Sequence, residues 1–211
     1  MNWAWLSSNL GMIAGLAWQH LLIALPAIIA SFLIAVPLGW AAHSSGRFRE
    51  VIVVVTSLIY VIPGLAMFVF MPLVLGTSIL SPINVVIAMT LYGIALMVRS
   101  AADAFDTVPG AVRQSATAAG YSPLARVMRV ELPLAGPGLL SGVRVVAAST
   151  VSLISVGALV GVQSLGTLFT EGFQRAFPTE IIAGLVGTIL LAVLIDICLT
   201  LIARLTMPWR H

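Results

Sequence analysis

The chain has 211 residues, 60% of them hydrophobic and only 8% charged, with a mean hydropathy of +1.12. A soluble domain carries about a quarter charged residues, so this chain lacks the polar side chains to cover itself in water and reads as an integral membrane protein. The net charge of +3 does not indicate a nucleic-acid binder, because there is no lysine and the ten arginines gather in loops rather than along one polar face.

Residues 1–16 are short, uncharged and moderately apolar, with Trp3 and Trp5. They suit either an interfacial segment, where indole rings settle, or a loose tail. They lack the basic start and small-residue cleavage site of a signal peptide. A first span is expected over 17–41, since a hydrocarbon core of about 30 Å needs ~20 helical residues. Trp18 and Trp40 mark its ends, and it contains Pro26 and Pro37, which membrane helices tolerate when neighbours satisfy the freed carbonyls. A short polar loop with Arg47 and Arg49 follows. The second expected span, 51–75, is interrupted by Pro63-Gly64, either a simple kink or a break lining a passage. A third is expected over 83–98, a polar loop over 99–131, a fourth span over 142–161, a second loop over 163–180 and a fifth span over 181–205.

Five spans put the two ends on opposite sides. Eight arginines (47, 49, 99, 113, 126, 129, 204 and 210) fall on one side and Arg175 on the other, Arg144 lying within a span. The positive-inside rule therefore places the N-terminus outside and the C-terminus and the 99–133 loop in the cytoplasm.

The punctuation of that loop reads as two short helices. Pro109 suits a first turn, a helix runs to about Ala119, and Gly120 suits the left-handed position past its end. Ser122-Pro123 starts a second helix, and Leu132-Pro133 is expected to stop it. The first helix carries small side chains, as fits insertion into a cleft of another protein or a path along the membrane plane.

Two ionisable residues fall inside spans, Arg144 and Asp196. Each costs a few kcal/mol facing lipid, and helical rise places both at similar depth in the cytoplasmic half, so they are expected to pair. The pair is either a structural link between helices or part of a gate. Ser152 and Ser155, at helical spacing with Ala148, together with Pro63 and Gly64, are the candidate lining of a substrate path. Gly157 and Gly161 form a Gly-x-x-x-Gly pattern expected to pack helices closely.

Catalytic and metal chemistry finds no footing. A phosphate-cradling P-loop needs a lysine; His20, His43 and His211 are scattered; Cys198 is alone; no serine sits in a nucleophile elbow. The expectation is a non-enzyme that binds no metal or cofactor itself. No aromatic cage for a quaternary ammonium is evident.

The loop carries a recognisable pattern. Gln114-Ser115-Ala116, three residues, Gly120, nine residues, then Val130-Glu131-Leu132-Pro133 resembles the cytoplasmic loop of ABC importer permeases: Glu-Ala-Ala, three residues, Gly, nine residues, Ile, one residue, Leu-Pro. Gln114 replaces the acidic residue. Val61–Ala66, Gly142-Val143-Arg144 and Gly161–Gly166, with residues 168–174 and 180–182, resemble permeases for glycine betaine, carnitine and choline. The resemblance implies an all-α membrane protein of five transmembrane helices with the type I importer (MetI-like) fold, and a permease domain over 17–205 between an extracytoplasmic segment 1–16 and a cytoplasmic tail 206–211. It also implies a coupling loop that engages a separate ATPase through Arg113, Gln114, Ser115, Ala116, Gly120, Leu132 and Pro133, with ATP and Mg on that subunit. A second permease copy or a related one, an extracytoplasmic binding protein, surrounding lipid and a bacterial plasma-membrane location complete the expectation, with a compatible solute as cargo. The alternatives are a methionine or amino-acid permease, a self-contained secondary transporter or channel, and a non-transporting scaffold.

Overall fold

The computed structural model describes residues 1–46 and 49–209. Arg47, Arg210 and His211 lie outside them. A short helix α1 (Trp3–Ser8) is capped by the Asn2 side chain, which accepts from the Trp5 amide at 3.0 Å. Helix α2 (Leu10–Ser44) then runs 35 residues through Pro26 and Pro37. At 1.5 Å per residue it is ~50 Å long, well beyond a hydrocarbon core. Residues 10–16 thus belong to this first span rather than to the segment before it, because nothing between Leu10 and Trp18 breaks the helix.

The second span is broken, not kinked. Helices α3 (Arg49–Val61) and α4 (Gly64–Leu75) meet at 99° across Ile62 and Pro63. The break leaves the Ile62 carbonyl without a helical partner, and the Tyr92 hydroxyl from α5 (Pro82–Asp106) donates to it. A freed backbone group inside a membrane must be satisfied in this way. Tyr60 stacks edge-on against Tyr92 at 5.6 Å between ring centroids. Four helices are individually long and apolar enough to cross a membrane, and the bent pair makes five when counted as one span.

Helix α5 is the axis of the bundle, held between α2 and α8 (Leu132–Ile154). It continues to Asp106, so residues 99–106, expected in a loop, are its last two turns. Lipid tails are as apolar as leucine, so membrane helices are held by close packing over small residues rather than by water exclusion. Gly93 lies against Ser31, whose hydroxyl donates to the Ala27 and Thr90 carbonyls at 2.6 and 3.0 Å. A Cβ at Gly39 would stand 2.4 Å from that of Ala101, and one at Gly138 would stand 2.7 Å from that of Ala104. These are close approaches between helices. Gly157 is not one, since a Cβ there meets nothing nearer than Val85 at 3.5 Å, and Gly161 approaches only the Leu80 side chain of the loop before α5, 2.6 Å from where its Cβ would stand. Both lie in or at the end of a tight 3-10 turn (Ser155–Val160), where Gly161 takes φ +83° as its left-handed cap. The sequence spacing assumed a regular helix that the chain has already left.

Between α5 and α8 lie α6 (Gly110–Ala118), α7 (Pro123–Arg126) and a π-helical turn (Val127–Glu131). Leu132-Pro133 does not stop the helix. Pro133 is the second residue of α8, and the π turn just before it carries the chain from α7 into α8 without a break, making one helical run of Pro123–Val160. The expected loop over 163–180 contains helix α9 (Gly166–Gln174), and α10 (Pro178–Thr206) is the last span.

Candidate functional site

The α6 segment is built as a projecting helix. Pro109 forms its N-cap, one position earlier than a first-turn proline, and Gly120 takes φ +85°, letting the Tyr121 amide reach back to the Ala116 carbonyl at 3.1 Å. Ser122 caps α7 by accepting from the Ala125 amide at 3.3 Å. Gln114 and Ser115 are exposed, Ala116 is buried, Arg113 is half-buried, and Leu132 and Pro133 sit half-buried where α8 begins. The outward face thus offers a neutral amide and small side chains.

Behind α6 lies an open cleft of about 770 Å³, lined by Trp40, His43, Arg113, Gln114, Arg126 and Glu131 among others. Trp40, read from sequence as a membrane anchor, borders this cleft. Across it Arg126 donates from Nε to Glu131 at 2.7 Å, and from a terminal nitrogen to the Thr117 hydroxyl at 3.1 Å. Glu131 is buried, so this pair compensates a charge that would be costly alone. On the near side His43 Nδ1 and Asp106 are 2.5 Å apart, Arg113 donates to His43 Nε2, and Arg49 bridges Asp106 and Asp103, the latter at 2.8 Å. One contiguous polar network therefore ties the ends of α2, α3, α5 and α6. Sequence reasoning missed it because its members lie up to 70 residues apart; the bunching of Asp103, Asp106, Arg49 and His43 at helix ends was its only trace.

The middle of the molecule offers a second feature. Along α8, Ser141, Val145, Ala148 and Ser152 form one exposed stripe at helical spacing, and Leu159 is exposed in the 3-10 turn beyond it. Ser155 is not in the α-helix: its hydroxyl is buried without a partner, and its backbone presses on Gly166, where a Cβ would stand 2.1 Å from the Ser155 carbonyl oxygen. Pro63 is exposed at the α3–α4 break, and a Cβ at Gly64 would stand 3.6 Å from the Leu153 side chain, close to the stripe. Arg144 and Asp196 meet, with Nε to Oδ1 at 2.8 Å and a terminal nitrogen to Oδ2 at 3.0 Å, and Arg144 also donates to the Thr200 hydroxyl at 2.6 Å. This pair joins α8 to α10 and remains roughly half-exposed.

At the opposite end of the molecule Glu180 is fully buried and paired with Arg175 at 2.7 Å, which also holds Glu171 at 2.6 Å. Trp5 stacks on Phe177 at 5.4 Å, and the Asn2 amide donates to the Thr179 hydroxyl at 3.0 Å. The start of the chain is thereby pinned to α10 rather than trailing as a tail.

Long apolar helices around α5, a bent span and a short exposed helix pair at one end define a multi-pass helical transport subunit. The same fold is seen in inward-facing conformations of the MetNI methionine ABC transporter, with a TM-score of 0.82 over 94% of this chain and 98% of that one at 20% identity. The chain belongs to the family of binding-protein-dependent transport system inner membrane components, whose pattern matches residues 27–210. It is similar to the carnitine transport permease protein OpuCD of Listeria monocytogenes (28% identity, 92% of this chain and 86% of the relative). Comparable relatives are the osmoprotectant import permease OsmW of Salmonella typhimurium (29%; 89% and 88%) and the choline transport permease OpuBB of Bacillus subtilis (27%; 96% and 92%). The similarity lies in the glycine betaine, carnitine and choline branch of ABC importer permeases, as the Val61–Ala66 and 161–174 segments suggested.

Proposed function

We propose that this chain lines the translocation path of an ATP-driven importer for a compatible solute such as glycine betaine, choline or carnitine. The observation that carries the reading is the exposed stripe of α8. Three of its four members, Ser141, Ala148 and Ser152, are small and Val145 is the one larger apolar side chain, on a membrane face where large apolar side chains would be expected throughout if lipid covered it. Small, weakly polar walls suit a solute that must pass without lodging, and tight recognition then falls to an extracytoplasmic binding protein. Two such stripes facing each other, from a second copy or a related permease, would enclose the path.

In this reading the subunit is non-catalytic, with ATP and Mg held by a separate cytoplasmic ATPase that docks on α6 through Arg113, Gln114, Ser115 and Ala116. Gly120, Leu132 and Pro133 set the angle of the docking segment. The N-terminus lies outside, the C-terminus inside, in a bacterial plasma membrane. The Arg144–Asp196 pair ties α8 to α10 as a structural link. The names of the relatives support the cargo class, and the arginine distribution supports the orientation.

The test is uptake of radiolabelled glycine betaine by cells with and without this chain, at low and high external salt, with choline, carnitine and methionine as competitors. Loss of salt-stimulated uptake on deletion supports the reading. Unchanged betaine uptake alongside loss of another amine or amino acid would reassign the cargo.

A further inference from the structure

We infer that His43 is the positioning residue through which the docking helix α6 is linked to α2 and α5, and that its neutral imidazole is the coupled state. The inference rests on the reading that α6 docks an ATPase. The geometry is a chain of direct contacts. Arg113, on the half-buried side of α6, donates to His43 Nε2 at the end of α2; the Nδ1–H of the same ring faces Asp106 at 2.5 Å at the end of α5; and Asp106 is bridged by Arg49 at the start of α3, which also holds Asp103. The His43 side chain is 9% exposed and lies against Phe105, with ring centroids 6.2 Å apart. No other described side chain joins α6 to both α2 and α5 in this network.

Only one protonation state makes both bonds. Neutral imidazole with hydrogen on Nδ1 donates to Asp106 and accepts from Arg113. The imidazolium has a hydrogen on Nε2 as well, which faces the Arg113 guanidinium, so the Asp106 bond survives and the α6 bond is lost. The charged groups around the ring are Arg49 from α3, Asp103 and Asp106 from α5, and Arg113 from α6. Arg126 from α7 and Glu131 from the π turn are paired with each other across the cleft. A proton on both ring nitrogens therefore breaks the link from α6 to α2 and α5 while leaving the ends of α2, α3 and α5 joined, and α6 keeps its Thr117–Arg126 contact to α7.

The test uses the whole importer reconstituted with its ATPase and binding protein. Retention of the ATPase, ATP hydrolysis and solute uptake are measured from about pH 6 to about pH 8, spanning the ordinary histidine range. His43→Ala is expected to retain the ATPase and hydrolyse ATP while uptake per ATP falls on the order of tenfold, the scale of a lost charge-assisted hydrogen bond. His43→Gln can donate and accept as neutral imidazole does, and is expected to restore uptake and remove the acid-side decline of the natural protein. An unchanged uptake-to-ATP ratio in His43→Ala, with the ATPase retained, overturns the inference alone, as does an acid-side decline persisting in His43→Gln. If the natural protein fails to hold an ATPase at any pH, the docking reading falls and takes the inference with it.

Discussion

Helices α8 and α10 are both long and both exposed along one side, yet they expose different chemistry. On α10 the open face is mostly Ile182, Leu185, Ile189, Val193 and Leu201, side chains as apolar as a lipid tail, interrupted by Asp196, which is paired with Arg144. On α8 it is Ser141, Val145, Ala148 and Ser152. The opposite side of α8 is packed, with Gly142 against Met97 and Ser100. The difference teaches that exposure alone does not identify a lipid surface: under the proposed function, the size and polarity of what is exposed would separate a wall facing the bilayer from a wall facing cargo and a second subunit.

A tryptophan placed on each face is the hardest test. Ala148→Trp fills a passage and is expected to lower uptake on the order of a hundredfold, the scale of an overpacked site, while Ile189→Trp stays near the natural rate in the same assay. Equal effects would erase the distinction. At the seam between the two faces, Arg144→Asp or Asp196→Arg alone should sharply reduce membrane-assembled protein, since an unpaired charge at this depth costs about 2.5–3.5 kcal/mol. Exchanging both should recover most of the yield, measured by detergent extraction and gel filtration. A double exchange no better than either single change removes the pairing from the account of stability.

On the packed side of α8, Gly142→Val should cost about 1–3 kcal/mol, because a Cβ there already meets the Met97 sulfur and the Ser100 Cβ at 2.9 Å. Gly187→Ala on α10 meets only the flexible end of Leu165 at 3.1 Å and should cost less than about 1 kcal/mol. Thermal melts in detergent rank the two. The smallest effect comes from Ser152→Cys, which should transport normally and react with a polar thiol reagent during turnover. The native Cys198, on α10 two residues from Asp196 and on the other side of the helix, should react slowly. Comparable labelling would place α10 on the path as well.

Much of the helical plan was legible in the sequence because apolar length and proline-glycine punctuation are local signals. Gly120 and Ser122-Pro123 ended and restarted helices where expected, and Arg144 met Asp196 because helical rise alone fixes depth. What was not legible depends on distant partners. Pro63-Gly64 could not be resolved between kink and break without Tyr92 reaching over to the Ile62 carbonyl. Gly93 and Gly39 gave no local cue, since their meaning lies in Ser31 and Ala101 on neighbouring helices. Ser155 left the helical stripe because the backbone tightened into a 3-10 turn that periodicity does not register. The His43 network joins four helix ends, and only their convergence makes it a site. Gln114 and Ser115, proposed to dock the ATPase, were recognised through a family pattern rather than through physics; their exposure is compatible with docking and does not by itself demand it.

The π turn at Val127–Glu131 gives the second half of the docking segment a mechanical character. Because the π turn carries α7 into α8 within one helical run, with the buried Glu131 clamped to Arg126 at the junction, the proposed function would make the segment the short arm of a lever whose long arm carries the serine stripe. Ser152 lies 19 residues beyond Pro133, roughly 30 Å at helical rise, so a tilt of about 10° at the short arm displaces it by about 5 Å. That is comparable to the width of a small solute, so under the proposed function a modest push beneath the membrane would change the bore within it.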